Sequence, residues 1–132
     1  MMNAPQPETA AKPLILVVDD EDLVRRIACQ GLQRLGYDVI DAHDGDSALK
    51  LLESDGRRID LLFADVRMPG RLSGPALADI ALRQRPDMKV LLTSGHARTE
   101  DFASVGSSYP VLPKPYRRAE LAEAIASALS RA

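Results

Sequence analysis

Short apolar runs alternate with longer amphipathic segments along most of this chain. Five runs have the length and composition of buried strands, the second more weakly than the others: Leu14–Val18, Tyr37–Asp41, Ile59–Ala64, Val90–Thr93 and a short run near Tyr109–Leu112. Most of these runs are continuously apolar and lack the alternation of a half-exposed strand. This pattern is typical of parallel strands that are covered on both faces.

The segments between the apolar runs have the spacing of amphipathic helices. In the first segment an apolar stripe recurs every fourth residue, with other small or apolar residues beside it: Leu23, Ile27, Gly31 and Leu35, next to Val24, Ala28 and Leu32. We expect this stripe to face the core and Gly36 to end the helix. Three further helices are predicted over Asp44–Ser54, Ser73–Arg85 and Arg117–Leu129. The polar stretch Arg98–Ser108 predicts at most a short or loose helix.

The alternation of strands and helices predicts a single domain of the α/β class. Such alternation is typical of βαβ units, whose right-handed crossovers place helices on both faces of a parallel sheet. Residues 1–13 contain three prolines and little that could pack, so we expect a disordered N-terminal tail. The domain then covers residues 14–132 without a repeat, and the last predicted helix leaves no room for an output module.

Composition narrows the range of functions. The 132 residues include 17 Lys and Arg against 19 Asp and Glu, and this balance argues against a general nucleic-acid binder. The single cysteine, Cys29, excludes a disulfide within the chain and a cysteine metal site. No apolar run approaches the ~20 residues of a membrane helix, and the N-terminus has no signal-peptide pattern. We therefore expect a cytoplasmic protein without membrane contact.

The ends of the predicted strands carry most of the chemistry that the sequence offers. Five polar residues occupy these ends: Asp19 and Asp20 after the first strand, then Asp65, Ser94 and Lys114 at the third, fourth and fifth. We expect them to converge, because the ligand crevice of an open α/β sheet lies beyond the carboxyl ends of its strands. Three close carboxylates need a cation, and oxygen ligands without thiols favour Mg²⁺ or Mn²⁺. A lysine and a hydroxyl on the same rim suit a phosphoryl group, so the sequence predicts metal-assisted phosphoryl transfer at a carboxylate.

Four stretches of the sequence resemble the receiver domain of two-component response regulators. They are "ILVVDDEDLVRRI", "DLLFADVRMPG", "LLTSGHA" and "LPKPY", and they occur in the family's order and near its spacing. The resemblance covers Leu14 to about Leu129. It implies a flavodoxin-like, doubly wound sheet of five parallel strands in the order 2-1-3-4-5, with helices on both faces. It also implies a phosphorelay module that binds Mg²⁺ and accepts a phosphoryl group from a histidine kinase.

The resemblance further implies a role for each matching residue. The groups at the phosphoryl site would be Asp65 as phosphoacceptor, Ser94 as switch hydroxyl and Lys114 as counter-ion, with a cis bond to Pro115. The Mg²⁺ ligands would be Asp20, Asp65, the backbone carbonyl of Arg67 and, through water or a hydrogen bond, Asp19. The partners implied are a sensor histidine kinase or phosphotransfer protein and an unknown downstream protein. A weak homodimer is compatible with the family, whereas nucleic acid and membrane are not expected.

The chain departs from the family pattern in three places. The stretch "MPGRLSG" is one residue longer than the commonest loop, and the segment from Ser94 to Lys114 is about two residues shorter. The family often has an aromatic residue three positions before the lysine, where this chain has Val111, and Tyr109 is out of register. Our hypothesis is that phosphorylation reorders Arg98–Ser108 instead of moving an aromatic switch.

The sequence leaves other functions open. Each site residue taken alone has an ordinary explanation as a helix cap, a turn residue or a surface charge. The module could be a stand-alone regulator or the receiver of a hybrid sensor kinase, and we expect no enzymatic activity beyond its own phosphorylation and dephosphorylation. A phosphohydrolase with an aspartyl intermediate is less favoured, because such enzymes usually carry an acid where Arg67 stands and a cap domain that is lacking here. A nucleotide-binding fold is disfavoured because neither common Gly-rich phosphate loop occurs.

Overall fold

Five strands and four helices form the part of the chain that the computed structural model describes, residues 12–95 and 109–131. In chain order they are β1 (Leu14–Val18), α1 (Asp22–Arg34), β2 (Asp38–Ala42), α2 (Gly45–Ser54), β3 (Leu61–Asp65), α3 (Gly74–Gln84), β4 (Lys89–Ser94), β5 (Val111–Pro113) and α4 (Arg118–Leu129). The tail predicted over residues 1–13 lies mostly outside these ranges, and the segment Arg98–Ser108 lies entirely outside them. Within these ranges, no helix combines the length and apolar character that a bilayer crossing requires.

The strands form one parallel sheet in the order β2-β1-β3-β4-β5. β1 pairs on both sides, so that Val18 lies opposite Ala42 of β2 and Ala64 of β3. Parallel neighbours need crossover connections, and helices supply them between the first four strands. The predicted α/β class and the strand order implied by the resemblance are both confirmed.

The helices cover both faces of the sheet and create two apolar cores. α2 and α3 cover one face, where the largest buried residues include Leu16, Leu52, Leu62, Leu77 and Leu92. α1 and α4 cover the other face, over a core that includes Ile15, Leu32, Phe63, Leu121 and Ile125. Since successive residues of a strand point to opposite faces, the continuous apolar runs supply both cores at once. This burial holds the carboxyl ends of β1, β3 and β4 at one edge.

Three predicted helix starts are N-caps rather than helical residues. The side chain of Asp44 accepts a hydrogen bond from the backbone N–H of Ser47 at 2.8 Å, and Ser73 accepts one from Ala76 at 3.3 Å. Arg117 precedes α4 in extended backbone conformation. Asp44 and Ser73 thus satisfy free N–H groups of the first turn from outside the helix, whereas at α4 the side chain of Glu120 accepts the backbone N–H of Arg117. The predictions were therefore wrong by one residue at these ends.

The prediction of β1 is confirmed at both ends, whereas the ends of the other four predicted strands were wrong by one or two residues. These four strands begin or end one or two positions away from the apolar runs, at Asp38 and Ala42, Leu61 and Asp65, Lys89 and Ser94, and Val111 and Pro113. Ile59 shows the reason, because it is only 2 % exposed although it precedes β3. The sequence shows that a residue is apolar, but it does not show whether that residue is buried within a strand or just outside it.

The prediction that the whole apolar stripe of α1 faces the core was wrong. Ala28 and Leu32 are buried, whereas Leu23 and Ile27 are 66 % and 59 % exposed. One helix presents only part of its circumference to a sheet, and a stripe built from seven positions is wider than that contact. Gly36 does end the helix region, with a φ of 101° that favours glycine. Exposed apolar residues thus remain on α1.

Candidate functional site

Three carboxylates meet at the carboxyl edge of the sheet. One oxygen from each of Asp19, Asp20 and Asp65 lies within 4.8 Å of the others. Asp19 and Asp65 are buried, at 4 % and 9 % exposure, whereas Asp20 is exposed. The convergence arises because β1 and β3 are neighbours in register, so that the residues after Val18 lie beside the end of β3. The sequence prediction that these acids come together is confirmed.

Lys114 completes the charged cluster from the far end of the chain. Its ammonium lies 3.0 Å from Oδ2 of Asp19 and 3.1 Å from Oδ2 of Asp65. The lysine follows β5 directly, its backbone N–H donates to the carbonyl of Ser94 at 2.8 Å, and its bond to Pro115 is cis. Two buried carboxylates and one half-buried cation therefore form a compact ionic group, next to the exposed Asp20.

Burial and charge act in opposite directions on this group. Burial raises the pKa of the Asp65 carboxyl, and the positive charge of Lys114 offsets only part of that rise. For Lys114, burial opposes the charged form, but the hydrogen bonds and charges of Asp19 and Asp65 prevail and raise the pKa of its ammonium. The two carboxylates thus keep the ammonium of Lys114 protonated. A second cation at this site would neutralise the negative charge that Lys114 leaves on the three aspartates.

Ser94 and Arg67 flank Asp65 on two sides. Ser94 is the last residue of β4 and is 1 % exposed, one position beyond Thr93, which pairs with Asp65. The backbone N–H of Arg67 donates to Oδ1 of Asp65 at 3.2 Å, while the Arg67 residue itself is exposed. Both residues therefore lie next to Asp65, and the roles that the family resemblance implies for them stay predictions.

A tight turn carries the chain from β3 to α3. A Cβ on Gly74 would lie 2.2 Å from the carbonyl oxygen of Asp65, closer than any real contact, so only glycine fits there. Gly70 has a φ of 99°, which also favours glycine. Leu72 is buried and lies against Gly45, where a Cβ would approach Leu72 Cβ to 2.6 Å. The long loop "MPGRLSG" is thus anchored by Leu72 and returns to Asp65 at Gly74.

Sequence reasoning missed Arg25, which holds the loop that carries the two leading aspartates. Its guanidinium donates to the carbonyl oxygen of Asp19 at 2.8 Å, to Asp41 of β2 at 2.8 Å and to Asp22 at 2.7 Å. The side chain is only 16 % exposed. The stretch "DDEDLVRRI" shows two arginines one turn into the helix, but the sequence does not tell which of Arg25 and Arg26 faces the loop.

An apolar surface adjoins the charged cluster. Leu23 and Ile27 are the exposed large apolar residues of the described chain, and both lie on α1. A shallow cleft beside them is lined by Val24, Ile27, Gly95, Lys114, Pro115 and Tyr116. Lys114 therefore belongs to both the charged cluster and the apolar cleft. We call Leu23, Ile27, Pro115 and Tyr116 the α1 patch.

Tyr109 occupies a place that its position in the sequence did not predict. Its ring packs against the core of α2 and α3, and its hydroxyl donates to the carboxylate of Asp79 on α3. Burial and this acid raise the pKa of Tyr109 to about 12. Val111, at the usual aromatic position of the family, is half-buried in β5. The tyrosine two residues before β5 is thus tied to α3.

The oxygen ligands at this edge suit a divalent cation. The acidic cluster contains no thiol or imidazole, and its exposed member Asp20 gives solvent and a cation access from one side. Hard cations such as Mg²⁺ prefer carboxylate, carbonyl and water oxygens in this kind of setting. The residues present therefore fit Mg²⁺, as receiver domains generally bind it through such a cluster.

Comparison with known proteins places this site in a large family. The chain is 34 % identical over 120 residues to the sensor kinase CckA of Brucella abortus, an alignment that covers 89 % of this chain and 12 % of CckA. A solved receiver domain from hybrid histidine kinase CckA is 37 % identical with a TM-score of 0.74, covering 89 % of this chain and 99 % of that one. A response regulator receiver protein of Sinorhizobium medicae is 30 % identical with a TM-score of 0.79, covering 89 % and 94 %.

The chain thus spans about an eighth of the curated relative CckA but nearly all of the solved receiver domains. The sequence model of the response regulator receiver domain matches residues 15–126, which include all the site residues described above. Family, fold and site agree, and the chain belongs to the response regulator receiver domains of two-component systems.

Proposed function

We propose that Asp65 accepts a phosphoryl group from the phosphohistidine of a histidine kinase or phosphotransfer protein. A new bond forms between a carboxylate oxygen of Asp65 and phosphorus as the N–P bond breaks, and the imidazole leaves with the electron pair. The observation that supports this most directly is the position of Lys114, whose ammonium lies 3.1 Å from Oδ2 of Asp65. A fixed cation at that distance can neutralise charge on the incoming phosphoryl oxygens.

The matching position in the receiver family and the neighbouring Ser94 favour Asp65 over the other two acids as nucleophile. Its Oδ1 accepts the N–H of Arg67 and its Oδ2 accepts Lys114, so the carboxylate has one defined orientation. Asp19 accepts hydrogen bonds in the same pattern, from the N–H of Glu21 at 3.0 Å and from Lys114, so these contacts orient both acids and the assignment of the nucleophile to Asp65 follows the family resemblance. We assign Asp19, Asp20, Asp65 and the carbonyl of Arg67 to Mg²⁺, which would supply further charge neutralisation of the phosphoryl oxygens when bound.

Ser94 and Lys114 are proposed to hold the phosphoryl group after transfer. Ser94 ends β4 beside Asp65, and its hydroxyl is a donor suited to one phosphoryl oxygen. Lys114 would exchange its contact with Oδ2 of Asp65 for another phosphoryl oxygen. Ser94 ends β4 and Lys114 directly follows the neighbouring β5, and the hydrogen bond from the N–H of Lys114 to the carbonyl of Ser94 joins these strand ends, so that phosphorylation can displace β4 and β5 together.

The α1 patch is the proposed docking surface for the phosphodonor protein. The donor histidine must reach Asp65, and the cleft that leads away from Lys114 is bounded by Ile27, Pro115 and Tyr116. Exposed apolar residues next to a charged reaction site are typical of a surface that is covered by a partner during reaction. A substitution of Leu23 and Ile27 should leave phosphorylation by a small donor unchanged but slow transfer from a kinase.

We further propose that the module signals by protein contact in the cytoplasm, where the ATP of histidine kinases is found, and does not turn over separate substrates. A hydrolase of phosphate esters would need an acid two residues after the nucleophile, and this place is taken by the exposed Arg67. Both a stand-alone regulator and the receiver of a hybrid kinase would use the same chemistry. The likeness to the CckA receiver supports the second arrangement.

The test is phosphorylation by acetyl phosphate with and without Mg²⁺, read by intact mass. We expect the mass of one phosphoryl group to appear only with Mg²⁺ and to be absent in Asp65→Asn. The exposed Asp87, which lies in the turn before β4, provides the matched control Asp87→Asn, which should react like the unmodified chain. If no mass is gained, a beryllofluoride complex would indicate rapid hydrolysis, and its absence would contradict the proposed function.

A further inference from the structure

We propose that Arg25 is a positioning residue for the Mg²⁺ site, because it orients the peptide bond between Asp19 and Asp20. The inference rests on the proposed function, since it assumes that these acids hold Mg²⁺. It concerns a residue that does not itself touch the cation: a guanidinium carries no lone pair to offer as a ligand. Its effect would be to place the carboxylate of Asp20 where it can bind the cation.

The guanidinium of Arg25 joins three separate elements with its three nitrogens. Nη1 donates to the carbonyl of Asp19, Nε to Asp41 at the end of β2, and Nη2 to Asp22 at the start of α1, all within 2.8 Å. Arginine presents these donors in one plane, so satisfying all three fixes the plane itself. The loop between β1 and α1 is therefore held to β2 and to the helix at the same time.

The bond to Asp19 acts on the main chain next to the metal ligand. The carbonyl of Asp19 belongs to the peptide unit that leads into Asp20, and its orientation determines where the Asp20 side chain begins. Asp19 is already fixed by Lys114 and by the N–H of Glu21, whereas Asp20 is exposed and is not held by packing. Arg25 is thus the side chain that restrains the peptide on which Asp20 depends.

A plain surface ion pair would not explain this geometry. The partner Asp22 is 79 % exposed and three residues away on the same helix, an arrangement that contributes little to stability. The Arg25 side chain, however, is only 16 % exposed, and its Nη1 donates to the backbone carbonyl of Asp19 rather than to a carboxylate. Burial of a charged group against the main chain of a metal loop indicates a positioning role.

Charge and geometry make opposite predictions for Mg²⁺ affinity. Arg25 is a cation close to a site for a dication, so its removal would strengthen Mg²⁺ binding if only charge mattered. If orientation of the loop matters, its removal weakens binding. The neighbouring Arg26 is exposed and has the same charge on the same helix turn, which makes Arg26→Ala the matched control for the charge effect.

The experiment is a calorimetric titration of MgCl₂ into the unmodified chain and into Arg25→Ala, Arg25→Lys and Arg26→Ala. We expect the dissociation constant to rise about tenfold or more in Arg25→Ala, the range found for residues that orient metal ligands. Arg25→Lys should also bind weakly, because an ammonium keeps the charge but lacks the planar set of donors. Arg26→Ala should bind as tightly as the unmodified chain or slightly more tightly.

A second readout separates positioning from a general loss of structure. In nitrogen-15 spectra without Mg²⁺, the amide signals of Asp20 and Glu21 should shift in Arg25→Ala, while those of Leu62 and Leu92 in the core should not. If Arg25→Ala does not fold, Arg25→Lys and Asp41→Asn provide the same measurements, and Asp41→Asn should weaken Mg²⁺ binding to a smaller extent.

Equal or tighter Mg²⁺ binding by the folded Arg25 variants would overturn the inference and leave the proposed function intact. An unmodified chain that binds no Mg²⁺ would overturn both. Weaker binding in Arg26→Ala, to the same extent as in Arg25→Ala, would also overturn the inference, because it would assign the effect to the helix as a whole.

Discussion

The ammonium of Lys114 lies 3.1 Å from Oδ2 of Asp65, although the two residues are 49 positions apart in the chain. The same ammonium lies 3.0 Å from Asp19. Folding thus places one cation between two buried acids, where it stabilises a group that would otherwise carry uncompensated negative charge. Lys114 and a bound metal ion would therefore both neutralise the carboxylates at this edge of the sheet. The free energy of unfolding should fall when Lys114 is removed and rise when the metal ion is added.

Replacing Lys114 by Met should lower the free energy of unfolding by about 2 kcal/mol at neutral pH without Mg²⁺, because two buried carboxylates lose their cation. Mg²⁺ should then stabilise Lys114→Met more than the unmodified chain. Urea unfolding with and without MgCl₂ measures both effects. Equal stability of the variant and the unmodified chain without Mg²⁺ would contradict the structural role of the cation.

The difference in stability between the Asp65→Asn variant and the unmodified chain should depend on pH. Burial raises the pKa of Asp65, so the native state binds this proton more tightly than the unfolded state does. Ionised Asp65 therefore costs stability above the ordinary carboxyl pKa of about 4, and the cost is removed as pH falls toward that value. Without Mg²⁺ we expect Asp65→Asn to melt at a higher temperature than the unmodified chain at pH 7, with the difference shrinking toward pH 4. A difference that is constant over this range would argue against the raised pKa.

Gly74→Ala should destabilise the protein by about 2 kcal/mol, because the new Cβ would overlap the carbonyl of Asp65 at 2.2 Å. The displacement acts on the backbone of the phosphoacceptor, so phosphorylation by acetyl phosphate should also slow. Gly56→Ala is the matched control, since a Cβ there has no atom within 4 Å. Thermal unfolding and intact mass would show the contrast, and equal behaviour of the two variants would count against the tight turn at Gly74.

Arg85→Ala should lower the free energy of unfolding by about 2 to 3 kcal/mol, the usual range for hydrogen bonds to a charged group. The Arg85 guanidinium donates to three backbone carbonyls after and within the last turn of α2, those of Leu52, Asp55 and Arg57. Those carbonyls would lose their partner. Arg83 is exposed in the last turn of α3, two residues before Arg85, so Arg83→Ala should change stability by less than about 0.5 kcal/mol in the same denaturation series.

Leu23→Ala and Ile27→Ala should each change stability by less than about 0.5 kcal/mol, because both side chains are mostly exposed. Leu32→Ala on the same helix should cost about 2 to 5 kcal/mol, since it empties a buried position. The double variant of Leu23 and Ile27 should react normally with acetyl phosphate but accept phosphate slowly from a kinase that phosphorylates the unmodified chain. Normal transfer from that kinase would place the docking surface elsewhere.

Local patterns along the chain were enough to predict the type and order of the elements within the described residues, the α/β class and the five residues at the strand ends. Apolar runs and amphipathic periods are local properties, and parallel strands bring their carboxyl ends to one edge whatever the details of the helices. The strand order and the roles of Asp65, Ser94 and Lys114 came from the family resemblance, and the structure confirms the order and the proximity of these residues.

Only the tertiary structure showed which face of α1 is buried, which of Arg25 and Arg26 holds the acidic loop, and that Tyr109 bonds to Asp79. Each of these depends on contacts between elements far apart in sequence or on the rotation of a helix by one position. A stripe of seven apolar positions does not tell which few meet the sheet, and adjacent arginines have the same local pattern. The chain's periodicity therefore determines its elements, whereas the packing of those elements determines which side chains reach the site.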